Sequence, residues 1–116
     1  MHAIRLHETG AAETLRAGMI PVPEPGTGDV LVQVEAAGVN FIDIYKRTGL
    51  YKVPLPATLG EEGAGTVAAV GPGVRDYRIG DRAAWAGTLG SYAEFALVPA
   101  AKLVRIPDGI AATTAA

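Results

Sequence analysis

The chain has 116 residues, enough for one domain with a single modest core, and 49% of them are hydrophobic against 19% charged, which excludes a disordered chain. A formal net charge of −2 leaves no electrostatic footprint for nucleic acid or for an anionic membrane surface. With no cysteine, disulfides, thiolate metal sites and a cysteine nucleophile are all excluded.

Residues 2–7 alternate weakly and are expected to form a first strand, with Leu15 to Val22 as its partner after a turn near Gly10. Arg5, His7 and Glu8 interrupt any apolar run, so no signal peptide is expected. No stretch reaches the roughly 18 apolar residues of a spanning helix. The expectation is a soluble, cytoplasmic protein. Pro21, Pro23 and Pro25, followed by Gly26 and Gly28, mark a loop. Asp29 to Gly38 is the clearest strand, with Val30, Val32 and Val34 on one face and Leu31, Gln33 and Glu35 on the other.

The period then changes. Phe41, Ile42, Ile44 and Tyr45 suit a short helix over Asn40 to Thr48, with Asn40 as N-cap, Asp43 three residues on and Gly49 just past the end. Leu50 to Thr58, carrying Pro54 and Pro56, is expected to be a loop. Glu62 to Val70 is the next strand, turned by Gly71-Pro72-Gly73. A turn at Ile79-Gly80-Asp81 leads into a strand over Arg82 to Ala86. Ser91 to Val98 alternates as a further strand, with Tyr92, Glu94, Ala96 and Val98 on one side. Lys102 to Ile106 is the last short strand, and Ile110 to Ala116 has the pattern of a helix just beginning. There is no internal repeat. The fold class is mainly β: a barrel with one or two short helices.

Several residue groups invite a functional reading. Gly63-Ala64-Gly65-Thr66-Val67-Ala68 matches G-x-G-x-x-A, the dinucleotide fingerprint, which needs a strand, the turn, and then a helix facing the pyrophosphate. Here Val70 is followed at once by Gly-Pro-Gly, which leaves no room for that helix; glycines that let a strand pass close to a neighbouring backbone are the better account. Catalytic zinc needs three protein ligands. The only histidines, His2 and His7, lie five apart on a strand and are expected at the surface, so no metal site is expected. Glu61-Glu62 could divide acid and base roles, but one exposed and one hydrogen-bonded carboxylate is the simpler expectation. Trp85 is assigned to packing. Ser91 has no histidine near it in sequence, which makes a poor case for a hydrolase triad. What remains is Asn40, Tyr45 and Tyr51, an amide and two phenols around one helix and the loop after it. They could form a polar, aromatic wall for a flat ring system. Equally, Asn40 could only cap the helix and the tyrosines only close the core.

Four segments, taken together and in order, resemble one family. They are the run from Asp29 to Tyr51, the run from Leu59 to Val74 with its Gly-Glu-Glu-Gly-Ala-Gly core, Gly80-Asp81-Arg82, and Gly90-Ser91-Tyr92-Ala93-Glu94. The resemblance is to the quinone oxidoreductase (zeta-crystallin-like) branch of the medium-chain dehydrogenase/reductase superfamily and covers essentially the whole chain. It implies a GroES-like β-barrel over residues 1–116. It also implies that the zinc ligands of related alcohol dehydrogenases are replaced at Asn40 and Glu61, and that the cysteine-rich lobe is missing between Arg82 and Gly90. Zinc-free reduction of a quinone or related conjugated carbonyl by NADPH is the implied reaction. Asn40, Tyr45 and Tyr51 are the implied nicotinamide- and substrate-facing residues, and no side chain serves as nucleophile or acid/base. The Rossmann domain that binds most of the NADP(H), and through which such enzymes dimerise, is expected to lie outside this chain. Alone, the chain is therefore expected neither to bind NADPH tightly nor to turn over, and to self-associate through exposed edges. Two other readings remain open: a stand-alone GroES-like binding module, and another zinc-free enone or enoyl-thioester reductase.

Overall fold

Val30 and Val32 are fully buried, Val34 packs against the same cluster, and Gln33 and Glu35 face solvent. That alternation places strand β3 (Asp29–Ala37) across the middle of the molecule. Leu31, on the opposite face, is buried as well. A computed structural model describes all 116 residues. The other strands are β1 (His2–Leu6), β2 (Leu15–Met19), β4 (Ala57–Thr58), β5 (Glu62–Val70), β6 (Arg82–Ala86), β7 (Phe95–Pro99) and β8 (Leu103–Arg105). The helices are α1 (Phe41–Thr48) and α2 (Ala112–Ala115).

Five strands form one sheet in the order β7-β3-β5-β6-β8, and three form another in the order β2-β1-β4. Every pairing is antiparallel. Register shifts at Leu31/Val32 and Val34/Ala36 interrupt the β3–β5 ladder, and bulges of this kind increase twist and curl a sheet. The result is a curled half-barrel, mainly β with two short helices, which is the GroES-like architecture expected. Its main core gathers Val30, Val32, Val67, Trp85, Val98 and Leu103, among others. Trp85 is in that core, as assigned, and its indole N–H donates to the Thr88 carbonyl at 3.3 Å.

Most elements match the sequence expectations to within a residue or two, and three depart from them in a way that matters to the fold. The strand expected over Ser91 to Val98 begins only at Phe95. Residues 91–94 instead join the smaller sheet: Ala3 bridges Ala93, Ile4 N–H donates to the Tyr92 carbonyl at 2.8 Å, and Tyr92 N–H donates to the Leu59 carbonyl at 3.0 Å. A segment that changes sheets keeps its alternation while its partners change. The expected loop over Leu50 to Thr58 ends in a two-residue strand, β4, because Ala57 and Thr58 complete the far side of β1. The partner of β1 stops at Met19 instead of Val22.

Gly63 and Gly65 lie within β5, and no helix follows them. A Cβ at Gly65 would overlap the Gln33 carbonyl of β3, and one at Gly63 would come within 2.7 Å of the Trp85 ring. The close-approach account of these glycines is correct. No helix is long and apolar enough to cross a membrane.

Candidate functional site

A surface helix ordinarily buries an apolar stripe and exposes its charges. Helix α1 does the reverse. Its only buried residue is Asp43, at 4% exposure, and Lys46 and Arg47 are half-buried. Phe41, at 75% exposure, Ile44 and Tyr45 face outward. Val39 before the helix and Leu50 and Tyr51 after it are exposed too. The Tyr45 and Tyr51 rings meet edge to face, with centroids 5.6 Å apart and planes at 74°. Tyr51 N–H donates to the Tyr45 carbonyl at 3.1 Å, so the backbone holds the pair together.

Polar ties beneath the helix fix this inverted posture. Asp43 Oδ2 accepts from the Asn40 N–H at 2.9 Å, closing the N-terminus, and from the Tyr92 hydroxyl at 2.7 Å. Asp43 Oδ1 has no partner. Burial, and then the hydrogen bond to the Asp43 carboxylate, push the Tyr92 phenol well above its ordinary range. At the other end, Gly49 takes the left-handed conformation at φ 89° and Gly10 N–H donates to the Arg47 carbonyl at 2.9 Å. Between them, Lys46 forms an ion pair with Glu61, their side chains 15% and 24% exposed.

Asn40 is the N-cap residue, as expected, and borders two shallow recesses of about 280 Å³ each. One is polar, shared with Glu61 and Glu62; the other is apolar, shared with Phe41 and Ile44. Tyr45 and Tyr51 stand at the opposite end of the same helix. Their exposure removes the alternative that the tyrosines close the core. Asn40 caps the start of α1, Tyr45 lies within it and Tyr51 in the loop just after it, the tyrosines in contact and Asn40 at the far end.

The acidic pair departs from expectation. Neither carboxylate is exposed: Glu61 is held by Lys46, and Glu62 lies over Gly38, where a Cβ would overlap its carboxylate. Strand alternation does not separate them, because Glu61 precedes β5 and both border the same recess. Ser91 is buried, its hydroxyl unpartnered, while His2 and His7 are exposed at the N-terminal strand, so no triad forms. His2 lies 3.5 Å from Glu94. Reading the sequence alone missed Lys46 and Tyr92. Lys46 sits one turn beyond Ile42 on the half-buried side of the helix, but its partner lies 15 residues away, beyond the reach of helical spacing.

Residues 26–108 match the alcohol dehydrogenase GroES-like domain family, and the chain belongs to it. Within the medium-chain dehydrogenase/reductase superfamily its strong relatives are quinone oxidoreductases. It is 48% identical over 103 residues to a quinone oxidoreductase of Pseudomonas aeruginosa, covering 87% of this chain and 32% of that protein. It is 44% identical over 115 residues to one of Salmonella typhimurium, covering 97% and 35%. The crystal structure of Escherichia coli quinone oxidoreductase complexed with NADPH superimposes with a TM-score of 0.96 at 38% identity, covering 99% of this chain and 36% of that one. The chain thus spans about a third of the length of the curated relatives it matches.

Proposed function

We propose that this chain is the substrate-side half of an NADPH-dependent quinone oxidoreductase that works without zinc. Residues 1–116 form its GroES-like catalytic domain, and the rest of the enzyme supplies the Rossmann domain and the dimer interface. The observation that carries this reading is the inverted helix. An aromatic, apolar face held outward by buried polar ties is costly in water and suited to receiving flat rings. Tyr45 and Tyr51 stack against the acceptor or donate to its carbonyl oxygen, and Asn40 bonds that oxygen or the nicotinamide amide. When bound, NADP(H) supplies the hydride; the chain's own groups orient the rings and exclude water.

The NADPH in the Escherichia coli relative supports NADP(H) as the cofactor. The donor set supports a zinc-free cleft. Where the resemblance places two zinc ligands stand the amide of Asn40 and the carboxylate of Glu61, and that carboxylate already carries the Lys46 ammonium as its counter-ion. The acceptor class is a quinone or related conjugated carbonyl, and the enzyme is a cytoplasmic homodimer.

The test is to read the source gene beyond the codon for Ala116 and assay the complete product with NADPH and a panel of benzoquinones, naphthoquinones and enones. Turnover that survives EDTA, fastest with quinones, is the expected result. A stop codon there, no oxidation of NADPH by any member of the panel, or loss of activity in EDTA would overturn the reading.

A further inference from the structure

We propose that Lys46 and Glu61 together form the positioning element of this cleft, setting the separation between helix α1 and the segment that enters β5. The inference rests on the reductase reading above.

Helix α1 buries no apolar residue deeply, so packing alone does not fix where it sits. Three polar ties hold it. The Asp43–Tyr92 hydrogen bond grips its first turn, and the Gly10–Arg47 backbone bond secures its last turn to the N-terminal loop. Only the Lys46–Glu61 pair reaches the wall opposite, the one that bounds the polar recess beside Asn40. That wall is itself anchored: the Glu61 carbonyl accepts from Gly87 N–H at 2.8 Å. Glu61 is therefore the anchored side of the pair, and Lys46 ties the helix to it.

Lys46 follows Tyr45 in the chain, and Tyr45 holds Tyr51. A shift of the helix at Lys46 displaces both aromatic rings relative to the wall of the recess formed by Glu61 and Glu62. Both charges are largely shielded from water, where their attraction is stronger than at an open surface. Neither contacts the acceptor in this assignment; they act through the tyrosines.

In the complete reductase, Lys46→Met and Glu61→Gln are each expected to raise the acceptor KM about tenfold while the KM for NADPH stays within about twofold, since misplacement by a fraction of an ångström is felt at the reacting rings. The double variant is expected to be no worse than the worse single one, as for two residues acting as a unit. Lys46→Arg, which keeps the charge, is expected to restore the parent acceptor KM. Unchanged acceptor KM in the single variants, or a Lys46→Arg as defective as Lys46→Met, overturns the proposal. Should Lys46→Met fail to fold, the exchange Lys46→Glu with Glu61→Lys decides: a near-parent KM supports the proposal, and a raised KM in a folded protein overturns it. If the parent reduces no quinone, the reductase reading has failed, and amide exchange decides the positioning claim. Faster exchange over residues 44–48 in Lys46→Met, with β5 unchanged, supports it; unchanged exchange overturns it.

Discussion

At Gly65, β5 passes so close to β3 that a side chain would overlap the Gln33 carbonyl, backbone against backbone, with no flexible neighbour to yield. Gly65→Ala is therefore expected to destabilise the fold by about 3 kcal/mol, the upper end for overpacking. The reading is a lower urea midpoint at unchanged slope. Tyr92 makes a different prediction, about pH. Its phenol is raised from an ordinary value of 10.0, first by burial and then by the Asp43 carboxylate. A raised acid stays protonated in the folded state while the unfolded chain ionises, so its contribution to stability is full below 10.0 and declines as the pH rises above it. Tyr77, also raised by burial, adds to the same slope. Tyr92→Phe is expected to flatten the alkaline loss of stability, measured as urea midpoints between about pH 8 and pH 11, leaving the part due to Tyr77.

Helix α1 carries its own contrast. Asp43→Ala removes the acceptor of both the Asn40 N–H and the Tyr92 hydroxyl, and stranding two such donors in a buried site is expected to cost about 2 kcal/mol. Phe41→Ser, on the outward face of the same helix, is expected to change stability by less than about 0.5 kcal/mol. An ordinary amphipathic helix would show the opposite ranking. Thermal unfolding of the two variants side by side tests whether the helix is inverted in solution.

The whole molecule presents that apolar face together with open sheet edges at β2 and β8, a combination that invites association. The isolated 116-residue chain is expected to self-associate as its concentration rises, and Phe41→Ser with Leu50→Ser to reduce this, both read by sedimentation velocity. It is also expected to bind NADPH more weakly than a Kd of about 1 μM, since no helix N-terminus follows Gly65 to receive the phosphates. A micromolar Kd measured by titration on the isolated chain would overturn this.

Local pattern alone determined most of the elements. The valines of β3 alternate because one face of a sheet is buried, Asn40 and Gly49 bracket α1 because helix ends need those conformations, and the missing helix after Gly65 excluded a dinucleotide loop. Asn40, Tyr45 and Tyr51 were picked out by their chemistry and spacing, though nothing in one dimension separated a ring-facing pair from core tyrosines. Tertiary structure decided only that the two rings are exposed, by turning the polar face of α1 inward. It alone joined Lys46 to Glu61 and Tyr92 to Asp43, and sent residues 91–94 to β1 before β7 began. Each of these links groups 15 or more residues apart, and such pairing depends on how the sheets curl and meet, a property that short-range periodicity does not carry.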